Sequence, residues 1–446
     1  MSSWVKVRDG SPTPDSWASF AQILTHAVFP QFYPSVYLTI TIVLDSVYWS
    51  RILRKEQIDM PDIMHDRKDR LKLIENIEGI LGGRVLVYFT ADRPIAQAMI
   101  ADDAVLPLYD HLRAIGPQDR LVLYLYSCGG QMEAPWKIVT MLREFCKELF
   151  VVVPYKSYSA STMVAIGADK IYMTKKGELG PIDPSSKVGV PKDGSLPQLP
   201  ELSVEDVAAY LTFMRDRAKL TDQNALANMT GLLAQHLTPT LLGRMERTYS
   251  HIRLVARNLL SLHKPPFDDR KVSTITEALT EKMYTHGHGI GRREAAEIGL
   301  DVTNLDGADE DVVWSLYESY ESFFGLRESR DVDSYFPAGS DVYEKPDVAI
   351  ACVESTKGLH ACVGTLRAQR IRNIPPNPTI NINLQLAMPP NLQPQQLPAG
   401  LQQGIQQMMQ QAVQQLQGLV AQELQKQAPI VGISANLAGN VWKKFV

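Results

Sequence analysis

The sequence predicts an α/β fold built around a parallel β-sheet. Two apolar runs, residues 121–126 and 149–153, read as buried strands, and a helical stretch follows each of them, residues 134–145 and 160–168. The alternation of strand, tight loop and helix repeats through Leu300, which is typical of parallel sheets with right-handed crossovers. With 446 residues, 45% of them hydrophobic, the chain is long enough to bury one large core or two modest ones.

The first elements of this core have clear boundaries. Charged residues at 66–70 open a helix whose apolar positions Leu71, Ile74 and Ile77 share one face at helical spacing. The glycine pair at 82–83 ends this helix, and the apolar residues that follow it predict the first core strand, 84–89.

Later elements follow from the same signals. A turn-rich stretch, 193–200, precedes a long helical region. Within that region, Thr238-Pro239 has the N-cap and first-turn chemistry for a helix that extends to Leu262. Residues 308–325 predict another helix, and residues 348–353 predict a late strand.

Composition and charge exclude several classes of protein. A net charge of −4 and a pI near 6.2, without a basic stripe, argue against a nucleic-acid binder. The nine histidines are scattered and show no HExxH or comparable ligand spacing, so we expect no metal and no cofactor. The four cysteines form no CxxC pair, which predicts a reducing, cytoplasmic compartment.

Residues 1–64 form an irregular, aromatic-rich lead-in. This segment lacks the succession of basic, apolar and small residues that a signal peptide has. Within it, residues 32–49 are apolar and aromatic, but Pro34 and Asp45 interrupt them. The run therefore falls short of the roughly 20 clean apolar residues of a membrane-spanning helix. We expect this segment to be buried or to face a partner, and peripheral contact with a membrane is the alternative.

The tail differs in composition from the rest of the chain. No charged residue occurs between Arg372 and Glu423, and 16 glutamines fall between positions 385 and 427. The Pro-rich part, residues 375–398, predicts extended or disordered chain. An apolar stripe at helical spacing follows, comprising Leu401, Ile405, Met408, Ala412, Leu416, Leu419 and Val420. Such a polar helix needs a partner for its apolar face, so we expect self-association or docking there, with a loosely ordered tail as the alternative.

Two short loops carry residue types suited to acyl-transfer chemistry. Ser127-Cys128-Gly129-Gly130 follows the first buried strand, and Ser159 lies 29 residues beyond Gly130, after the second. Parallel strands end at the same edge of a sheet, so the two loops are expected to lie side by side. A glycine amide placed there can face a developing oxyanion while a serine hydroxyl attacks the carbonyl carbon.

Alternatives remain for the serines of the second loop. Ser159 precedes a predicted helix, so a plain N-cap role is the alternative explanation for a serine at this position. A shift in the register of the loop would present Ser157 or Ser161 instead.

These motifs resemble a known family. The spacing from Gly130 to Ser159 equals that between the oxyanion glycine and the nucleophilic serine of the Clp protease proteolytic subunit. The surrounding sequence is similar to that of the serine dehydrogenase proteinase family, a relative of signal peptide peptidase A within the Clp/crotonase fold. The similar stretches are residues 70–75, 83–85, 129–130, 153–154, 158–162, 168–171, 179–184, 284–286 and 294–300. The resemblance covers about residues 66–305.

The resemblance implies a fold, an activity and a set of roles. The fold is a Clp/crotonase-type parallel sheet with repeated ββα-like units and flanking helices, to which this chain adds irregular N-terminal and Gln-rich C-terminal extensions. The activity is that of a serine peptidase with an acyl-enzyme intermediate, in which Ser159 is the nucleophile and the amides of Gly130 and Ala160 form the oxyanion hole. The sequence differs from the family's pattern at two places. Cys128 stands where the family usually has a proline, and Ser159-Ala160-Ser161-Thr162 stands where it has Ser-Gly-Gly-Thr.

The sequence does not identify the general base. His286 is favoured because it matches the family's Thr-His motif and an imidazole suits base catalysis near neutral pH, although a structural histidine explains it too. Asp183 lies in a Gly-Pro-X-Asp-Pro turn, where aspartate commonly forms an Asx turn. Relatives of signal peptide peptidase A use a lysine, for which the downstream candidates are Lys187, Lys192 and Lys219.

We therefore expect a cytoplasmic serine endopeptidase that cleaves extended or unfolded polypeptide and assembles as a homo-oligomer, with the Gln-rich tail as a site for a partner protein. One alternative is a catalytically idle scaffold of the same fold, and another is a crotonase-type enzyme that acts on acyl-CoA. The predicted divisions are an N-terminal lead-in (1–64), the peptidase-like domain (65–305), a helix and strand extension (306–372) and the Pro/Gln-rich tail (373–446).

Overall fold

The computed structural model describes residues 37–42, 66–182, 185–187, 201–281, 287–327, 332–337, 339–373, 382–387 and 399–446. The chain divides into two compact units. The larger comprises Gln57–Gln369 and Ala435–Val446, and the smaller comprises Met1–Glu56 and Arg370–Ser434.

Strands and helices are numbered in chain order. The described strands are β1 (Tyr37–Ile42), β2 (Arg84–Thr90), β3 (Asp92–Arg93), β4 (Ala96–Gln97), β5 (Gln118–Tyr126), β6 (Cys146–Val153), β7 (Lys156–Ser157), β8 (Lys170–Met173), β9 (Glu178–Leu179), β10 (Ser185–Lys187), β11 (Glu201–Ser203), β12 (Ile290–Gly291), β13 (Val302–Asn304), β14 (Val342–Ser355), β15 (Gly358–Arg372), β16 (Ile382–Ala387) and β17 (Ile430–Lys444). The described α-helices are α1 (Arg67–Leu81), α2 (Val105–Ile115), α3 (Ala134–Arg143), α4 (Ala160–Ile166), α5 (Val204–Thr212), α6 (Gln223–His236), α7 (Pro239–Leu260), α8 (Asp269–Glu281), α9 (Arg292–Ile298), α10 (Gly307–Phe324) and α11 (Ala399–Gln427).

An eight-stranded sheet has the order β13-β8-β6-β5-β2-β14-β15-β17. The five strands from β13 to β2 are parallel, whereas β14 is antiparallel both to β2 and to β15. Strands β14 and β15 are joined by a two-residue turn, and a connection this short permits only antiparallel pairing. The predicted α/β class with a parallel core sheet and flanking helices is confirmed, and the antiparallel strands extend that sheet.

Local sequence signals account for the element boundaries. Gly82, at φ 64°, caps the end of α1 in the left-handed conformation that glycine adopts most easily. Thr238 Oγ1 accepts a hydrogen bond from the N–H of Leu241 at 3.3 Å, so it is the N-cap of α7, as its sequence predicts. The six apolar residues that end β5 are all buried, as expected for a central strand with both faces covered.

The main sheet is covered by hydrophobic clusters on both faces. One cluster joins the sheet to α3, α4 and α7 through residues such as Ile138, Met163 and Leu259. The other joins it to α1 and α10 through residues such as Ile74 and Tyr320. Successive side chains of a strand point to opposite faces, so β2 contributes alternately to the two clusters.

A small second sheet lies at the carboxyl ends of the parallel strands. It has the order β12-β9-β7, with β7 parallel and β12 antiparallel to β9. An isolated parallel bridge joins Ser127 to Ser157. This bridge brings the loop that follows β5 beside the loop that follows β6, as the sequence predicts.

Among its described residues, the smaller unit contains β1, β16 and the long helix α11, together with the last residues of β15 and the first residues of β17. Strand β1 pairs antiparallel with β16, from Tyr37 opposite Ala387 to Ile42 opposite Ile382, and α11 contacts β16. A strand therefore lies within the aromatic segment 32–49, whose other residues are outside the described part of the chain. The predicted tail helix is present as α11, and Leu416 of its apolar stripe is buried.

Within the described residues, the helices are all too short or too polar to span a lipid bilayer.

Candidate active site

The loop Ser127–Gly130, called here the glycine loop, is held by a backbone bridge to Ile100. The N–H of Ile100 donates to the carbonyl of Gly129, and the N–H of Gln131 donates to the carbonyl of Ile100, both at 2.8 Å. These two bonds occupy the edge of the loop that faces Ile100. Since backbone polar groups alternate along an extended strand, the N–H and C=O of Gly130 point away from Ile100, toward the opposite, open edge.

A buried hydroxyl pair fixes the same loop from the sheet side. Thr90 Oγ1 donates to Ser127 Oγ at 2.8 Å, and Ser127 Oγ accepts a hydrogen bond from the N–H of Gly129 at 3.1 Å. Thr90 and Ser127 are both buried, so their polar contacts are shielded from water. The loop is therefore a rigid support for the amide of Gly130.

Glycine 129 is the residue that lies against Ser159. A Cβ at this position would stand 2.9 Å from Ser159 Cβ and 2.9 Å from the carbonyl oxygen of Tyr158. Its φ of 107° is also a conformation that other residues rarely adopt. The sequence indicates the Gly129-Gly130 pair but does not distinguish the roles of the two glycines. In the structure, Gly129 leaves space for Ser159, and Gly130 carries the amide that faces the open edge.

Ser159 has an uncommon backbone conformation. Its φ of 51° and ψ of −118° lie in a region that residues other than glycine seldom occupy. The sharp turn between β7 and α4 produces this conformation, and the same kind of strained strand-to-helix turn exposes the nucleophile in α/β hydrolases. The side chain makes no capping hydrogen bond to α4, so the plain N-cap interpretation does not account for this serine.

Burial distinguishes Ser159 from its two neighbours. The hydroxyls of Ser157 and Ser161 lie 2.8 Å apart and both residues are fully buried, whereas Ser159 retains 6% exposure. Thr162 stabilises the buried part of this loop, because its Oγ1 donates to the carbonyl oxygen of Ser157 at 2.6 Å and accepts from the N–H of Gly180 at 3.0 Å. Ser157 and Ser161 thus belong to the support of the loop.

In the first turn of α4, the amide of Ala160 has no backbone acceptor among the described residues. The N–H of Ser161 donates to the carbonyl of Tyr158 at 2.9 Å, and the N–H of Met163 donates to the carbonyl of Ser159 at 3.1 Å. The N–H of Gly130 likewise has no backbone acceptor within the described chain. The two amides that the sequence predicts as oxyanion donors are therefore both available for a ligand.

The described part of the chain shows a thioether, and no base, at the Ser159 hydroxyl. Ser159 Oγ lies 4.0 Å from Met132 Sδ, a weak acceptor. Lys219 lies within the described residues, in the loop before α6, and its side chain is exposed. Its backbone has a φ of 57°. Lys187 ends β10, and its side chain is outside the described atoms. Asp183, Lys192 and His286 are outside the described residues, so their roles stay predictions.

One backbone bond ties together the chain segments that lead to two of these candidates. The N–H of Ile182 donates to the carbonyl of Leu279 at 3.0 Å, and Ile182 is fully buried. Asp183 follows Ile182 directly, and His286 lies seven positions after Leu279 in the sequence.

Cys128 does not have the properties of a nucleophile. Its Sγ donates to Asp92 Oδ2 at 3.7 Å, and burial of the thiol, followed by the negative charge of Asp92, raises its pKa to about 11. A thiol with this pKa stays protonated near neutral pH, and thiolate is the reactive form.

Sequence reasoning missed several residues that shape the site. Ile100, Met132 and Thr90 approach it from distant parts of the chain, and no local motif marks them. A glycine doublet after a buried strand signals a close backbone approach, but it does not identify the approaching segment.

No protein-family model matches the chain. Two curated proteins of Methanocaldococcus jannaschii are similar to it. The uncharacterized protein MJ0137 is 29% identical over 214 residues, which cover 47% of this chain and 63% of that protein. The uncharacterized protein MJ1495 is 25% identical over 267 residues, which cover 58% of this chain and 79% of that protein. The chain thus spans less than two thirds of the length of MJ0137.

Solved structures with a similar arrangement come from two kinds of enzyme. A structure of the 1510-N membrane-bound stomatin-specific protease is 14% identical, covers 51% of this chain and 83% of that chain, and has a TM-score of 0.30. A second structure of that protease, in complex with a substrate peptide, covers 51% and 78% at 14% identity and a TM-score of 0.29. A monofunctional enoyl CoA isomerase from M. smegmatis is 12% identical and covers 56% and 92%, with a TM-score of 0.24.

Proposed function

We propose that the protein is a serine peptidase that cleaves extended polypeptide through an acyl-enzyme on Ser159. The observation that carries this proposal is the strained backbone of Ser159 between two available amides, those of Gly130 and Ala160. Strain of this kind costs of order 1–3 kcal/mol and persists where the surrounding structure enforces it, most often at functional sites.

The reaction follows from these positions. Ser159 Oγ attacks the carbonyl carbon of the peptide bond and loses its proton to the base, while the carbonyl oxygen becomes an oxyanion that accepts hydrogen bonds from Gly130 and Ala160. The tetrahedral intermediate then collapses, and the leaving amine takes the proton from the base. Water hydrolyses the resulting ester by the same two steps. Removing one donor from an oxyanion hole typically slows such reactions by about 100-fold to 1,000-fold.

His286 is the base that we propose first, with Asp183 and Lys219 as alternatives. An imidazole exchanges protons readily near neutral pH, and the Ile182–Leu279 hydrogen bond joins the chain segments that lead into Asp183 and His286. Single replacements His286→Gln, Asp183→Asn and Lys219→Gln rank the three. The true base is the one whose loss removes the pH dependence of labelling by an active-site probe.

The substrate that we propose is an extended strand. The open edge of Gly130 presents one N–H and one C=O, which is the pattern that an added peptide strand completes. We also propose a homo-oligomer, and light scattering of the purified protein tests it. A monomer at micromolar concentration would contradict that part of the proposal.

The test of the nucleophile is labelling with a fluorophosphonate probe, which forms a bond to activated serine hydroxyls. The wild-type protein should be labelled on the peptide that contains Ser159, and Ser159→Ala should abolish the labelling. Ser261→Ala is the control, since that hydroxyl is exposed at the end of α7, and it should be labelled normally. Labelling that survives Ser159→Ala would contradict the proposal.

A catalytically idle scaffold is the second candidate. It is favoured by one observation: within the described residues, the contact of Ser159 Oγ is the Met132 sulfur and no titratable side chain. A folded protein that no concentration of probe labels would support the scaffold and contradict the peptidase.

A further inference from the structure

Residues 100–104, called here the support segment, are bonded to the glycine loop and to the residue that follows it. Two of the bonds are the backbone bonds of Ile100 to Gly129 and Gln131. In a third, the N–H of Asp102 donates to Gln131 Oε1 at 3.3 Å. A Cβ on Gly130 would overlap the backbone of Ile100, so the loop also packs directly against the segment. The position of the glycine loop therefore depends on the position of the support segment.

The support segment is also bonded to Trp442, near the carboxyl end of β17. Trp442 Nε1 donates to Asp103 Oδ2 at 3.0 Å, although the two residues are 339 positions apart in the sequence. Because the acceptor is a carboxylate, this is a charge-assisted hydrogen bond. The half-buried indole also packs against the hydrophobic cluster to which Ile100 and Ala104 belong. Trp442 thus holds the support segment from a distant part of the chain.

The backbone that carries Trp442 is itself held by the main sheet. The N–H of Phe445 donates to the carbonyl of Leu359 in β15 at 2.9 Å. Lys443 Nζ pairs with Asp347 Oδ1 in β14 at 2.6 Å. These contacts lie on both sides of the short stretch that contains the indole's own contact with Asp103, and they fix the end of β17 on the sheet. Trp442 is therefore a fixed point for the support segment.

We propose that Trp442 is a positioning residue for the oxyanion amide of Gly130, on which it acts through Asp103 and the support segment. This inference rests on the proposed peptidase function. A donor stabilises an oxyanion only at hydrogen-bond distance from it, so a small displacement of the loop slows the chemical step. Loss of the Trp442–Asp103 bond should therefore slow acylation of Ser159 while the first, non-covalent binding of a probe stays the same.

The rate of fluorophosphonate labelling, measured over a range of probe concentrations, separates these two quantities. Trp442→Phe removes the indole N–H and keeps an aromatic ring in the same place. The maximal rate of labelling should fall about fivefold, the factor that corresponds to one ordinary hydrogen bond. The probe concentration that gives half the maximal rate should stay unchanged. A change confined to that concentration would contradict the proposal.

Trp314→Phe is the matched control. Trp314 Nε1 also donates to a carboxylate oxygen, Glu318 Oε1, at 3.0 Å, and Trp314 lies on α10, which packs against the other face of the main sheet. The two variants should lose similar amounts of stability in urea unfolding, since each loses one indole hydrogen bond. Only Trp442→Phe should lose labelling rate. Equal maximal rates in the two variants would overturn the proposal.

Variants of Asp103 test the bond from its other end. Asp103→Asn keeps an oxygen acceptor and should retain most of the labelling rate, whereas Asp103→Ala should slow labelling as Trp442→Phe does. The double variant Trp442→Phe/Asp103→Ala should be no slower than either single variant, because both remove the same bond. An additive loss would show that the two residues act separately. If Trp442→Phe is poorly folded by circular dichroism, Asp103→Ala replaces it in each comparison.

Hydrogen–deuterium exchange distinguishes failure of this inference from failure of the proposed peptidase function. The amides of Ile100 and Gln131 are hydrogen-bonded, and they should exchange faster in Trp442→Phe than in the wild-type protein or in Trp314→Phe. This result is expected whether or not Ser159 reacts with a probe. A wild-type protein that is not labelled would contradict the peptidase proposal, and exchange that is unchanged in Trp442→Phe would contradict the role of Trp442.

Discussion

Two serines of this chain, Ser159 and Ser355, combine the parts of a hydrolytic site in opposite ways. Ser355 Oγ lies 2.7 Å from His111 Nδ1, His111 Nε2 lies 3.0 Å from His360 Nδ1, and His360 Nε2 lies 3.6 Å from Asp110 Oδ2. Ser355 is fully buried, so no substrate reaches it. Ser159 lacks an imidazole within the described residues, but it has the strained turn and the available amides.

A serine beside an imidazole therefore does not by itself define a nucleophile. The Ser355 chain of hydrogen bonds ties the β14–β15 hairpin to α2, which is a structural task. At Ser159 the proposed chemistry depends on the backbone, because a rigid loop orients the amide of Gly130 and a sharp turn presents the hydroxyl.

Gly130→Ala should reduce the rate of fluorophosphonate labelling at least about 100-fold, the lower range for a lost oxyanion donor. A Cβ at residue 130 would overlap the backbone of Ile100, so the loop and its outward amide must move. Gly231→Ala is the control, since a Cβ there meets nothing within 4 Å. Normal labelling of a folded Gly130→Ala protein would break the contrast.

The pH dependence of stability should report the buried histidine pair. Burial of His111, followed by the charge of His360, lowers the pKa of His111 from 6.5 to about 3. Below pH 6.5 the unfolded chain binds a proton that the folded chain excludes, so this contribution is complete above about pH 6.5. The free energy of unfolding should then fall by about 1.4 kcal/mol per pH unit as the pH drops toward 3.

Urea unfolding between about pH 7 and pH 5 measures this slope. His111→Gln should flatten it, and His251→Gln, an exposed position on α7, should leave it unchanged. Equal slopes in the two variants would show that the buried pair does not control acid stability.

Thr162→Val should lower the free energy of unfolding by about 1–2 kcal/mol, because it removes a buried hydroxyl that bonds the backbone of Ser157 and Gly180. Labelling should slow several-fold, since this hydroxyl supports the loop that carries Ser159. Thr230→Val removes an exposed hydroxyl on α6 and serves as the control in denaturant unfolding. A change no larger than that of the control would separate Thr162 from the support of the site.

Ser355→Ala should leave labelling unchanged and cost about 1–2 kcal/mol of stability, because the hydroxyl bonds His111 and accepts from the N–H of Lys357. Peptide mapping of the labelled wild-type and variant proteins checks both the site and the rate. Any label on the peptide that contains Ser355 would reverse the contrast.

Much of the core is encoded locally and could therefore be predicted. The apolar runs of β5 and β6, the glycine stop at Gly82 and the cap at Thr238 each specify an element from a few neighbouring residues. The proximity of Ser159 to the glycine pair also followed, because parallel strands share an edge.

The remaining features depend on contacts between distant residues. Ile100 and Met132 complete the site, and Ser355 meets His111 from 244 positions away, without a motif that marks either contact. The proposed general base would also come from a distant part of the chain. Its leading candidate, His286, stays a prediction because it is outside the described residues.

The most direct test of the central claim is a crystal structure of the protein after reaction with a fluorophosphonate. We expect a phosphorus bound to Ser159 Oγ, with the phosphonyl oxygen about 2.7–3.1 Å from the amide nitrogens of Gly130 and Ala160. An adduct whose oxygen faces away from both amides, or an adduct on another serine, would contradict it.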